Sequence, residues 1–226
     1  MDFNNILNTI VLSVPGFLMA IVIHEWAHAY VAYRFGDNTA LKMGRLTLNP
    51  AAHYDMLGTV IFPLIGVIAG FAAIGWAKPV PINAGNFKKN YQRRALFWVS
   101  FAGPMANFLI GVTCAFLIAI LSIHFPNFSY TPILLKMLGY AINLNFLIGA
   151  FNLIPLPPLD GARMVSSCLS YNSARKFDSI AEYSSMIFLG LMALSFAGVN
   201  ILGQLLYPAQ FAVEFFINLF FLMLAP

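Results

Sequence analysis

An all-α polytopic membrane protein is the fold class this sequence predicts, and three observations carry the prediction. Of the 226 residues, 60% are hydrophobic and only 9% are charged, against roughly a quarter charged in a soluble domain. Several windows run for about 20 apolar residues with few or no charges, enough to cross the hydrocarbon layer as helix. The alternating apolar/polar segments of a membrane β-barrel, the other spanning solution, are absent.

The first span is expected from about Ile6 to Tyr33, ending at Arg34. A polar stretch follows, RFGDNTALKMGRLTLNPAAHYD, whose Gly and Asn-Pro signals suggest turns and a short extended segment. Residues 56–76 are apolar but punctuated by Pro63, Gly66, Gly70 and Gly75. AKPVPINAGNFKKNYQRR reads as a loop, and long spans are expected over about 95–123 and 133–153. The second of these breaks at IPLPPLDG. A short polar segment over about 163–176 precedes two last spans near 184–199 and 205–224. This makes five or six membrane segments in a single domain covering residues 1–226, with no repeat and no second soluble domain. The start, MDFNNILNTIVLSVPGF, has neither a basic n-region nor a small-residue cleavage site, so the first helix is expected to stay in the membrane.

The formal net charge of +4 comes from 12 Lys+Arg against 8 Asp+Glu, and the basic residues sit in loops. That favours positive-inside topology over nucleic-acid binding. Basic residues occupy 34–45, 78–94 and 163–176, while the 124–131 and 199–204 turns have none. If 56–76 crossed the membrane, the first two basic loops would face opposite sides. Entry and return on one side removes the conflict, provided the broken backbone is buried in protein; an ordinary kinked helix is the competing reading. Cys114 and Cys168 lack metal-type spacing and read as packing residues.

Ionisable residues inside a span are costly and mark function by default. HEWAH, His24 to His28, places three of them in one turn of the first span. Residues four apart share a helix face, so His24 and His28 can chelate one Zn²⁺ while Glu25 serves a metal-activated water as general base. A catalytic zinc site takes three protein ligands and keeps one position open. Asp160 stands out as the third because Pro155, Pro157 and Pro158 forbid continuous helix before it. The alternative is an aspartate that starts the next short helix.

HEWAH, AGPMAN at 102–107 and Asn152-Leu-Ile-Pro155-Leu-Pro157-Pro158-Leu-Asp160-Gly161 together resemble the site-2 protease family, the intramembrane zinc metalloproteases. The likeness covers about residues 10–170, a catalytic core followed by C-terminal helices over about 178–226. It implies one Zn²⁺ held by His24, His28 and Asp160, with Glu25 as base. It also implies that Asn152 holds substrate or stabilises the oxyanion, a role an amide donor can fill. Asn107 is a second candidate for such contacts, against a buried amide that bridges helices. His53 either supports the site or lines its entrance, or it is a polar loop residue. No PDZ or CBS domain is present, and 56–76 with its GWAKPVPIN tail resembles a compact bacterial and archaeal subgroup.

The resemblance implies hydrolysis of peptide bonds in or near transmembrane segments of other membrane proteins, in a prokaryotic cytoplasmic membrane, and the Lys/Arg bias of the loops puts the expected site toward the cytoplasm. A substrate helix must unwind to expose a carbonyl, and an edge from the 36–55 stretch can pair with it. The rival class is a zinc transporter or a helix-binding scaffold without hydrolysis. A transporter spreads ligands along a path, and a scaffold needs no Glu25. Glu214 in the last span is expected to face the bundle or an interface.

Overall fold

The computed structural model describes residues 3–68, 75–184, 186–187, 190–191, 194 and 201–225. Four helices among them are long and apolar enough to cross a membrane. They are α1 (Phe3–Arg34), α4 (Gln92–His124), α5 (Thr131–Asn152) and α8 (Ile201–Leu224), joined by α2 (Thr39–Lys42), α3 (Phe62–Ile68), α6 (Asp160–Cys168) and α7 (Tyr171–Asp178). At 1.5 Å per residue, 32-residue α1 is about 48 Å long, more than a hydrocarbon layer requires. The span expected over 184–199 falls mostly outside the described residues.

Helices α4, α5 and α8 share one core of Cys114, Ala115, Ala141, Ile142, Phe146, Ala209 and Val213. Small residues let the backbones approach where lipid offers no hydrophobic drive to associate. Gly16 shows how closely α1 meets α5, since a Cβ there would lie 2.7 Å from Ala141 Cα. Contacts such as Gly16 with Ala141 and His24 with Asn107 make α5 run alongside α1 and α4 run against it.

The two ends of the 56–76 segment lie side by side. A π-helical turn, Met56–Ile61, starts it, with the Asp55 carboxylate accepting the Gly58 N–H, and α3 continues it. On the way back the Trp76 N–H donates to the Gly58 carbonyl at 3.0 Å and the Lys78 N–H to that of His53 at 2.9 Å. A crossing segment would separate its ends by about 30 Å. Here they are hydrogen-bonded, the geometry of re-entrance; residues 69–74 lie outside the described residues.

The loop that follows runs along the surface and is pinned to the bundle by three buried side chains, Ala77, Val80 and Phe87. Phe87 packs with Ala32, Ala95 and Val99, and Val80 with Ala29 and Ala40. The stretch after the first span holds the expected turns and short extended pieces, with one short helix among them. No strand is assigned among the described residues, and 36–55 holds α2, an irregular run over 45–49 and a 3-10 turn, Pro50–His53. The sequence itself contains the reason: TALK is a good helix former, and Asn49 accepts the Ala51 N–H to start the Pro50 turn. One expectation fails: Cys168 is exposed, so only Cys114 packs. Of the two places expected for Glu214, its exposure on α8 excludes the bundle and leaves the interface.

Candidate metal centre

The turn of α1 that carries His24, Glu25 and His28 faces one stripe of α4, residues 99, 103 and 107, spaced by four. Each position does something different. The Val99 carbonyl accepts a hydrogen bond from His28 Nδ1 at 2.6 Å. Asn107 meets His24 Nδ1 at 2.6 Å through Oδ1, while its Nδ2 donates to the Ala20 carbonyl and to Asn145 Oδ1. Gly103 lies between them, and a Cβ there would stand 2.6 Å from His28 Cε1 and 2.7 Å from His24 Cε1. Only a residue without a side chain lets both rings lie on α4.

These contacts fix the tautomers. A carbonyl oxygen only accepts, and Asn107 Oδ1 is the acceptor end of an amide whose Nδ2 is already donating. Both Nδ1 atoms therefore carry a proton, so the lone pair of each imidazole in its metal-binding form lies at Nε2. The two Nε2 atoms are 3.0 Å apart, and Asp160 Oδ2 lies 3.1 Å from one and 3.2 Å from the other. Three electron-rich atoms converge, and Asp160 Oδ2 is buried without a hydrogen-bond donor. A tetrahedral zinc with bonds of about 2.0–2.1 Å puts its ligands about 3.3–3.4 Å apart, so the donor set fits in type, number and spacing. The outward Nδ1–H bonds are those that ligating histidines make.

Asp160 reaches this point because α5 stops at Asn152 and the proline-rich turn carries the chain back to α6. The Pro157–Pro158 peptide is cis. Asp160 is the first residue of α6, and Gly161 sits so near the Leu153 and Ile154 carbonyls that a Cβ would lie 2.6 Å from Ile154 O. Glu25 lies beside the cluster in sequence and is half-buried, and its Oε2 accepts the Val80 N–H at 2.7 Å.

His24, His28 and Asp160 thus come together, with ligand atoms all within 4.8 Å of one another. Asn107 stands behind His24 and at the same time bridges α1, α4 and α5. Asn152 donates its amide to the Ile148 carbonyl of its own helix. His53 is not brought to the cluster: it is buried in the loop with Nε2 against the Thr47 carbonyl at 2.8 Å. Sequence reasoning missed Gly103, Asn145 and the Val80 amide. Asn145, a buried amide within an apolar span, carried a readable signal.

The model of peptidase family M50 matches residues 13–131 and 120–195. The chain belongs to peptidase family M50. Among curated relatives, the "Putative zinc metalloprotease YwhC" of Bacillus subtilis is 39% identical over 77% of this chain and 76% of its own length. The "Putative zinc metalloprotease Rip2" of Mycolicibacterium smegmatis is 28% identical over 80% of this chain and 66% of its own. The "Zinc metalloprotease MJ0392" of Methanocaldococcus jannaschii is 24% identical over 81% of this chain and 42% of its own. No solved structure matches the chain. Membership in M50 makes this protein a zinc metallopeptidase, and its apolar helices make it an integral membrane one.

Proposed function

We propose that this M50 protein is an intramembrane endopeptidase that cuts other membrane proteins within or beside their transmembrane segments, using one Zn²⁺ held by His24, His28 and Asp160. The observation that carries the reading is the commitment of both Nδ1–H groups outward, which leaves two Nε2 lone pairs and a carboxylate oxygen facing one point. The chemistry that bound Zn²⁺ supplies there is polarisation of the scissile carbonyl and a lowered pKa for the attacking water.

The remaining work belongs to the chain. Glu25 takes the water's proton and passes it to the leaving amine. Asn152 turns its amide from the Ile148 carbonyl toward substrate and steadies the developing oxyanion; Asn152→Ala should slow cleavage about 10²–10³-fold. Asn107 holds the His24 ring, and the burial of α1 against α4 keeps bulk water from the ligands. The irregular 45–49 run is the stretch that can offer free backbone to an unwound substrate. The site lies near the end of α1 that precedes Arg34 and the foot of α6 that precedes Arg163, the side that Lys/Arg bias assigns to the cytoplasm. The test compares membrane proteins of cells carrying the wild-type chain or Glu25→Gln. Membrane proteins that accumulate uncut only in the variant support the reading, and identical profiles oppose it.

A further inference from the structure

The stretch Lys78-Pro79-Val80-Pro81 has an unusual backbone. Two prolines remove the N–H groups on either side of Val80, so one donor stands alone between them. That donor meets Glu25 Oε2 at 2.7 Å and leaves Oε1 without a protein donor among the described residues. The Val80 side chain is buried against Ala29, which shares a helix face with Glu25 four residues earlier. One residue thus grips α1 with its side chain and holds the carboxylate with its backbone.

What holds Val80 is Arg45. Its guanidinium is buried, lacks a carboxylate partner among the described residues, and has an Nε without any acceptor. Its Nη2 donates to the Lys78 carbonyl at 2.6 Å and to that of Pro79 at 3.4 Å, the two residues before Val80. A buried cation is expensive unless it is used, and this one is spent on two loop carbonyls. The chain is built to deliver it there. Gly44 adopts φ +66°, open to glycine without strain. The Arg45 N–H then closes the end of α2 on the Ala40 carbonyl at 2.8 Å.

We infer that Arg45 and the Val80 amide are positioning groups for Glu25: Arg45 fixes the 78–80 backbone, and the lone N–H between two prolines fixes the carboxylate that handles the proton. The inference rests on the proposed role of Glu25, and it makes the loop over 78–80 part of the proton-transfer apparatus rather than a cover.

The prolines also make the test clean, because Val80 carries the sole exchangeable amide hydrogen between residues 79 and 81. Hydrogen–deuterium exchange with fragmentation of the full chain in detergent, with zinc content measured on each sample, reads it directly. Glu25→Ala and Arg45→Met should each speed Val80 exchange at least about tenfold, as expected for a lost hydrogen bond to a charged group. Arg45→Lys should restore protection. With a synthetic single-span peptide as probe, Arg45→Met should lower kcat about tenfold with zinc retained and KM within about twofold. Val80→Pro, which removes the N–H as well as the isopropyl group at a position already held extended by Pro81, should lower kcat further than Val80→Ala, which keeps the N–H. Fast Val80 exchange in the wild-type chain, or exchange indifferent to Glu25→Ala, overturns the inference. So does a rise in kcat in Val80→Pro, which would make the contact a restraint, or a rise in KM alone, which would give the loop to substrate. Failure of the wild-type chain to bind zinc or cut would instead sink the proposed function, and the exchange result would stand apart from it.

Discussion

Replacing Gly103 by alanine should separate the metal site from the fold. The added Cβ would lie 2.6 Å from His28 Cε1, 2.7 Å from His24 Cε1 and nearer still to His28 Nε2. Carbon atoms prefer about 3.5–4.0 Å, so both rings must withdraw by about 1 Å. Neither can do so freely, because each Nδ1 is tied to α4 at 2.6 Å. A zinc site tolerates about 0.2 Å. Zinc affinity should therefore fall at least about 100-fold, equivalent to about 2.7 kcal/mol. The fold suffers less: overpacking costs about 1–3 kcal/mol, and alanine recovers about 1 kcal/mol of helix propensity over glycine. Chelator competition on purified protein gives the affinity, and thermal unfolding in excess chelator gives the metal-free stability. Wild-type zinc affinity in a folded Gly103→Ala chain would refute the packing of the rings on α4.

Two other outcomes follow from the loops. Asp37 is buried, which pushes its carboxyl up, but Thr39, Asn86 and the Asn83 N–H all donate to it and hold its pKa below the ordinary value on balance. The stabilisation is therefore complete above the unfolded value of about 3.9 and lost as pH falls through the lower folded value. Asp37→Asn should lower stability by about 1–3 kcal/mol between pH 5 and 7 and flatten the decline below pH 4, measured by thermal unfolding in detergent; an unchanged melting temperature at pH 7 would contradict the tie. In a chain lacking Cys114 and Cys168, an impermeant thiol reagent on intact cells should label Asn127→Cys and spare Asn83→Cys. Labelling at both would make 56–76 a crossing.

Much of the site could be read from residues whose chemistry conflicts with their surroundings. His24, Glu25 and His28 are conspicuous because a span otherwise has no use for them, and Asp160 because three prolines break the helix before it. Helix positions followed from apolar runs to within a few residues, as in α4, expected over 95–123 and found over Gln92–His124. What stayed hidden depends on backbone. The Val99 carbonyl and Val80 N–H look like any others in a sequence, and each acts across a gap that only the fold closes. Gly103 was hidden for a related reason: its contribution is the absence of a Cβ where two rings pass. The turns and short extended pieces of 36–55 were legible from its Gly and Asn-Pro signals, whereas the four-residue helix Thr39–Lys42 between them was not. Cost alone put Glu214 either in the bundle or near an interface, and the rotation of α8 that decides between them has no signal in its apolar run.

The central claim is that one zinc and one carboxylate do the hydrolysis, and Glu25→Gln tests it most directly. Gln is nearly isosteric but cannot take the proton. Wild-type and Glu25→Gln chains, purified side by side, should each hold one zinc, and only the wild type should cleave a transmembrane substrate. Cleavage by Glu25→Gln at the wild-type rate, with zinc in place, would contradict the account.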